Sequence, residues 1–199
     1  MRETAKLAVV LLIICAVATA LLGFVNSITA APIAEYKIKE AQDARMEVMN
    51  TASDITEEIS AEKREAIAAA IGSSPEELTE IYAAKDESGQ IVGYTIKVAS
   101  KGFGGSMEVL IGIMTDGRIN EVRILSHTET PGLGANATTE KFYGQYKGKT
   151  APGTVEVIKA GNPADNQVLS ISGATITSNA VTNAVNVAMS AYNELIKGE

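Results

Sequence analysis

Apolar and polar positions change their period twice along this chain. Leu7 to Val25 (LAVVLLIICAVATALLGFV) is an uncharged run of 19 residues, long enough as a helix rising 1.5 Å per residue to cross a hydrocarbon core of about 30 Å. From Ile81 the pattern shortens to two. Ile81–Lys85 and Ile91–Ser100, joined by Asp86-Glu87-Ser88-Gly89, read as one hairpin. Met107, Val109, Ile111 and Ile113 alternate strictly before the turn Asp116-Gly117, and Ile119–Leu125 returns as the partner strand. Thr154–Ile158 and Val168–Ile171 are further short strand candidates. Val181, Ala184, Val185, Ala188, Tyr192, Leu195 and Ile196 then recur every three or four residues, which predicts a last helix from near Ser178 to Lys197 with Ser178 as its N-cap.

Helix signals also fill the stretch between the apolar run and the first hairpin. Ala34–Asn50 is rich in good helix formers, and Ser60–Ile71 predicts a helix stopped at Gly72. Ser74-Pro75-Glu76-Glu77 has the form of a capping box and predicts a short helical turn. The expected fold is α+β: an antiparallel sheet flanked by helices, preceded by one N-terminal transmembrane helix. Three segments follow: 1–31, a cytoplasmic stub and anchor; 32–75, a helical segment; and 76–199, the α+β domain.

Charge and rare residues narrow the chemistry. The chain carries a formal −7, so it lacks the basic footprint that nucleic acid requires. Arg2 and Lys6 precede the apolar run, and the cytoplasmic bias of cationic residues then sends the C-terminal domain to the extracytoplasmic side. A cleavable signal ending near Thr29-Ala30-Ala31 is the rival, but its apolar region is usually shorter, about 7 to 15 residues. The single Cys15 lies inside the apolar run and the single histidine is His127. The domain therefore has no disulfide and no clustered metal ligands. Walker, HExxH, GxSxG and CxxCH motifs are absent.

Three stretches are left as candidates. SGATITSNAV, Ser172–Val181, opens the last helix with small and hydroxylated residues. A helix N-terminus presents unpaired N–H groups and the positive end of its dipole, so the loop before it is an anion site; plain helix capping is the alternative. Gly173 and Ala174 let a ligand approach the backbone, while Ser172 and Thr177 offer hydroxyls to phosphate oxygens. SHTETPGLGANATTEKF, Ser126–Phe142, is either a binding loop or a long connection, with His127 and Glu129 near its Pro-Gly turn. KGFGG, Lys101–Gly105, precedes a strand and not a helix, so it is no dinucleotide fingerprint and reads as a turn.

KGFGG, SHTETPGLG and SGATITS before a terminal helix, behind one N-terminal membrane segment, together resemble the G subunit of the Rnf electron-transport complex. That family is related to the C subunit of the sodium-translocating NADH:quinone reductase. The resemblance implies FMN joined through its phosphate to the last hydroxyl of the (Ser/Thr)-Gly-Ala-(Thr/Ser) motif, here Thr175, with Ser172, Gly173 and Ala174 as the other motif positions. It also implies that Glu129, Thr130, Gly132, Leu133 and Gly134 line the flavin site. The family often has an aspartate three residues before the motif; Leu169 stands there, and Asp165 is the nearest upstream acid.

By that resemblance the protein is a relay within an ion-translocating ferredoxin:NAD oxidoreductase complex and not a complete enzyme. Its partners are the other membrane subunits, and no catalytic side chain or metal is expected. A threonine hydroxyl is a poor nucleophile without a base, and no base neighbours Thr175 in sequence, so attachment requires a separate flavin transferase. Two other functions stand beside this one: the quinone-reductase C subunit, which the short segment between anchor and sheet disfavours, and an exported binding or assembly module without covalent flavin.

Overall fold

The computed structural model describes residues 2–151 and 153–198. It comprises two compact units, Met1–Gln42 and Asp43–Glu199. Helix α1, Arg2–Val48, begins in the first of these and tolerates Pro32 in its interior. Within it Val9–Ala30, 22 residues with mean hydropathy 2.6, forms a span long and apolar enough to cross a membrane. Its large side chains, among them Leu11, Leu12, Leu22 and Phe24, are exposed; a helix apolar on every face needs a nonpolar environment all round.

The second unit is built on a five-stranded antiparallel sheet whose spatial order follows the sequence: β1 Asp54–Glu58, β2 Leu78–Lys85, β3 Ile91–Lys101, β4 Ser106–Met114 and β5 Ile119–Ser126. The two hairpins read from alternation are both present. Their register sets Ile96 opposite Ile111 and Val98 opposite Val109, and carries Ile111 across to Val122. One sheet face is thereby uniformly apolar. Helix α2, Ala61–Ile71, and helix α4, Thr175–Lys197, cover it. From α4 it receives Val181, Ala184, Val185, Ala188, Met189, Tyr192 and Leu195, all buried. Each large aliphatic side chain so covered contributes about 1.5 to 3 kcal/mol.

A smaller core lies on the opposite face. Val48 and Met49, at the end of α1, join Ala52, Ile55, Ala84 and Leu110 there. Arg45 stacks over the Tyr82 ring at 3.7 Å and bonds Glu80 at 2.9 Å, while Lys97 reaches the other Glu80 oxygen.

Two local findings correct the sequence expectations and one bears them out. Asp54–Glu58 forms a strand at the sheet edge although no strand is predicted there; only Ile55 of its five residues is buried, so it has no legible alternation. Ser74 and Glu77 do exchange capping-box hydrogen bonds, Glu77 N to Ser74 Oγ and Ser74 N to Glu77 Oε2, both 3.2 Å. The predicted helical turn is present, closed by Leu78 N bonding Ser74 O at 3.3 Å, and it ends there because β2 starts at Leu78 and takes the chain into the sheet. The last helix starts at Thr175, three residues before the predicted Ser178, with Ala174 at the N-cap position and no side-chain cap. Ser178 lies inside the first turn, fully buried, where its hydroxyl donates to Ala174 O (3.0 Å) and accepts from Ile171 N (2.9 Å).

Between β5 and α4 the chain turns through two short 3-10 segments flanking helix α3, Glu140–Tyr143. It then forms a small parallel pair, β6 Glu156–Ile158 with β7 Gln167–Leu169. Tyr146 fastens this region to α4 through a 2.6 Å hydrogen bond with Thr182. Burial raises the Tyr146 phenol well above its ordinary range, so it stays protonated as the bond requires. Strand β7 leads directly into Ser170–Ala174 and so aims the SGAT stretch at the end of the sheet where β3 meets β4.

Candidate functional site

Three loops converge at that end: the β3–β4 tip, the loop after β5, and the start of α4. Two of them make the same kind of turn. Leu133 N donates to Thr130 O (3.2 Å) around Pro131-Gly132, and Ala174 N donates to Ile171 O (3.0 Å) around Ser172-Gly173. Gly132 (φ 77°) and Gly173 (φ 75°) occupy the third position of each, where a type II turn requires a positive φ that other residues resist. The turns abut, since a Cβ on Gly173 would lie 3.2 Å from Leu133 Cδ2.

Glu129 ties the three loops together. It is buried, with 7% of its surface exposed. Its Oε2 accepts from Thr177 Oγ1 at 2.8 Å, its Oε1 accepts from Gly104 N at 3.2 Å, and its own N–H donates to His127 Nδ1 at 3.2 Å. Glycines make room for it: a Cβ on Gly102 would lie 2.1 Å from Oε1, and one on Gly134 would lie 2.3 Å from Oε2. KGFGG is thus a hairpin tip shaped around a carboxylate, closed by Gly102 N bonding Gly105 O at 2.8 Å.

These loops enclose a cavity of about 370 Å³. Glu129, Thr130, Leu133, Gly134, Gly173, Ala174, Thr175 and Thr177 line it, together with Phe103 and Ile176. Thr175 is half-buried and is the first residue of α4. The first helical bond is Ser178 N to Ala174 O, 3.0 Å, so the N–H groups of Thr175, Ile176 and Thr177 are left for another acceptor. Phe103, Leu133 and Ile176 are 70%, 44% and 55% exposed respectively, an apolar rim around those donors.

Two predicted residues stand apart and one is engaged elsewhere. Ser172 and Gly132 line a neighbouring hollow of about 860 Å³ with Phe142, Leu169 and Ile171. Thr177, which the sequence offers to a phosphate, is 1% exposed and gives its hydroxyl to Glu129. Phe103 and Ile176 escaped the sequence analysis; an aromatic held between glycines at a hairpin tip was the available signal. A separate hollow of about 560 Å³ around Lys147, Lys149 and Asp165 is larger. Lys149 there already donates to Asp165 O at 2.5 Å, and burial lowers its ammonium below the ordinary lysine value.

The FMN-binding domain family matches residues 102–190, from the hairpin tip into α4. Over 195 residues the chain is 40% identical to the G subunit of the Na(+)-translocating ferredoxin:NAD(+) oxidoreductase complex of Acetobacterium woodii, covering 96% of this chain and 93% of that protein. The chain belongs to the G-subunit family of Rnf-type ion-translocating oxidoreductase complexes. A second member, the G subunit of the ion-translocating oxidoreductase complex of Methanosarcina acetivorans, is 31% identical over 189 residues, 94% of each chain. Among solved structures, the C subunit of the Na(+)-translocating NADH-quinone reductase from Parabacteroides distasonis superposes with TM-score 0.51 at 27% identity over 60% of this chain and 63% of that one. NqrC of Shewanella oneidensis shares the fold, with TM-score 0.50 at 22% identity over 59% of this chain and 61% of that one. The chain thus spans about three fifths of each solved relative. As a G subunit bearing an FMN-binding domain, the protein is a flavoprotein electron-transfer subunit.

Proposed function

We propose that this protein holds FMN covalently, through a phosphodiester to Thr175 Oγ1, and passes electrons inside a membrane complex that couples ferredoxin and NAD to ion transport. One observation carries this. Thr175 opens α4 with its side chain in the cavity, beside N–H groups that precede the first helical bond.

The residues present fit FMN. Phosphate charge at a helix N-terminus is stabilised by about 0.3 to 1 kcal/mol when exposed, and more when partly buried. Phe103, Leu133 and Ile176 offer apolar surface for a flat ring system, and the cavity's size falls within the range usual for small-molecule sites. When bound, FMN supplies the electron-transfer chemistry; the protein supplies attachment, orientation and electrostatics. Gly173 and Ala174 keep the approach to the backbone N–H groups open, while Ser178, by gripping Ile171 N, holds the SGAT turn against the helix.

Maturation by a separate flavin transferase belongs to the same proposal. Glu129 is the one titratable residue lining the cavity, and its oxygens already accept from Thr177 and Gly104. Nothing there is placed to take the Thr175 proton. Leu169, in place of the usual aspartate, sits on β7 and is 37% exposed, open to an approaching enzyme. The Val9–Ala30 span anchors the protein, with Arg2 and Lys6 on the cytoplasmic side and the domain outside. Other subunits of the complex supply the sites for ferredoxin and NAD. The G-subunit assignment is favoured over the quinone-reductase C subunit by extent: the Yersinia pestis quinone-reductase protein matches 55% of this chain, against 96% for the Acetobacterium protein.

The test is intact mass of the protein from its native membrane. A mass excess of one FMN minus one water, on the peptide containing Thr175, is expected, with yellow fluorescence on a denaturing gel that Thr175→Ala abolishes. A colourless protein made beside its transferase would favour the exported module without flavin.

A further inference from the structure

Glu129 brings a negative charge into the cavity that attachment of FMN does not use. The carboxylate is sheathed by backbone: Gly102 and Gly134 leave no space for a side chain beside it, and Gly104 is pressed against Thr128 O, where a Cβ would come within 2.1 Å. It lines the cavity together with Thr175. Only two hydrogen bonds reach it, from Thr177 and Gly104, although an ionised carboxylate has about four acceptor sites. No cationic side chain lines the cavity, and among the described residues no ion pair to Glu129 occurs. Its charge therefore acts across the cavity, offset by no cationic side chain but only by those two hydrogen bonds and the positive end of α4.

We propose that Glu129 sets the reduction potential of the flavin held at Thr175, its charge making reduction harder. The inference rests on the covalent attachment proposed above. Reduction of the isoalloxazine takes two electrons from the reductant, dithionite in the test below, and one proton from solvent, and leaves the ring with one additional negative charge. A buried carboxylate facing the same space opposes that gain, as one carboxylate opposes ionisation of another. Electrostatic tuning of a cofactor by nearby charge is among the protein's contributions to such chemistry. The Thr177 hydroxyl, by donating to Oε2, partly offsets the charge.

The geometry supplies a charge-only substitution. Glu129→Gln keeps the side chain's size and both contacts: the carbonyl oxygen of the new amide accepts from Gly104 N–H, and the Thr177 hydroxyl turns to accept from its NH₂. Thr177→Ala does the opposite, keeping the charge and removing a donor. The experiment is an equilibrium redox titration with dithionite and a reference dye, on the full-length flavinylated chain in detergent at one pH.

Glu129→Gln is expected to shift the oxidised–reduced equilibrium at least tenfold toward the reduced form, about 30 mV for a two-electron couple. Thr177→Ala is expected to shift it toward the oxidised form. A Glu129→Gln midpoint equal to the parent's, with covalent flavin present, overturns the inference and leaves the attachment at Thr175 intact. If Glu129→Gln does not fold or take up flavin, Thr177→Ala decides, and a midpoint at or above the parent's overturns the inference. A parent protein without flavin on Thr175 overturns both.

Discussion

The backbone carbonyl of Val48 is pressed onto β4 at Gly112, so closely that a Cβ there would lie 2.2 Å from the oxygen. Asn120 Nδ2 donates to the same carbonyl at 2.7 Å, and Met49 packs beside it over Gly93, where a Cβ would lie 2.5 Å from Met49 Cε. The two glycines cut a notch in β3 and β4 that admits the end of α1. A methyl group at Gly112 meets backbone, which cannot swing away as a side-chain tip would. Gly112→Ala is therefore expected to cost about 2 kcal/mol, in the range for overpacking a core, visible as a lower urea midpoint. Wild-type stability in that variant would mean that the segment after Asp43 is not held as described.

Attachment through a hydroxyl makes a chemical prediction distinct from loss of the residue. Thr175→Ser retains an oxygen at the first position of α4 and is expected to keep flavin fluorescence on a denaturing gel. Thr175→Val retains the shape and is expected to lose it. Flavin on both variants would place the linkage elsewhere.

Glu80 gives the fold a pH dependence. Burial alone would raise its carboxyl, but hydrogen bonds and charge from Lys97 and Arg45 outweigh that and hold it below its ordinary 4.5. A carboxyl lowered by folding stabilises the native state at pH values above the unfolded value, and that contribution disappears as pH falls through the folded one. Glu80→Gln is expected to cost about 1 to 2 kcal/mol at pH 7, since it strands two partly buried cations. The difference from the parent should narrow as pH falls below the ordinary carboxyl range and through the lowered native-state value. Urea titrations of both proteins at pH 7 and pH 3 measure this, and a gap unchanged between them would count against it.

Ser178 holds the turn before α4 from inside the helix. Replacing it by Ala removes its bonds to Ile171 N and Ala174 O and leaves a partly buried N–H without its acceptor. The expected cost is about 2 kcal/mol, with faster amide exchange at Ile171 and Ala174. Unchanged exchange there would show that the turn holds itself.

Legibility from sequence varied with how much of a pattern each element needs. Strands β2 to β5 were readable because one sheet face is buried, and a period of two then fixes which residues point inward. Gly72 marked the end of α2 correctly, as it adopts φ 72° and donates to Ala68 O and Ala69 O. Strand β1 was hidden because an edge strand with one buried residue and charged neighbours resembles a polar loop. The start of α4 was misplaced for a different reason. Hydroxyl residues both cap helices and serve inside the first turn, and only Ile171, brought back by the turn at Gly173, decides which role Ser178 has.

By itself the sequence determined the apolar span, strands β2 to β5, the amphipathic last helix and the motifs that mark the family, all of which depend on neighbours a few positions apart. Tertiary structure decided that Glu129 would meet Gly104 and Thr177, that Phe103 would join the cavity, and that Ser172 and Gly132 would face an adjoining one. Those relationships join residues tens of positions apart, and no local period encodes them. They are settled only when packing of α4 on the sheet fixes where three separate loops meet.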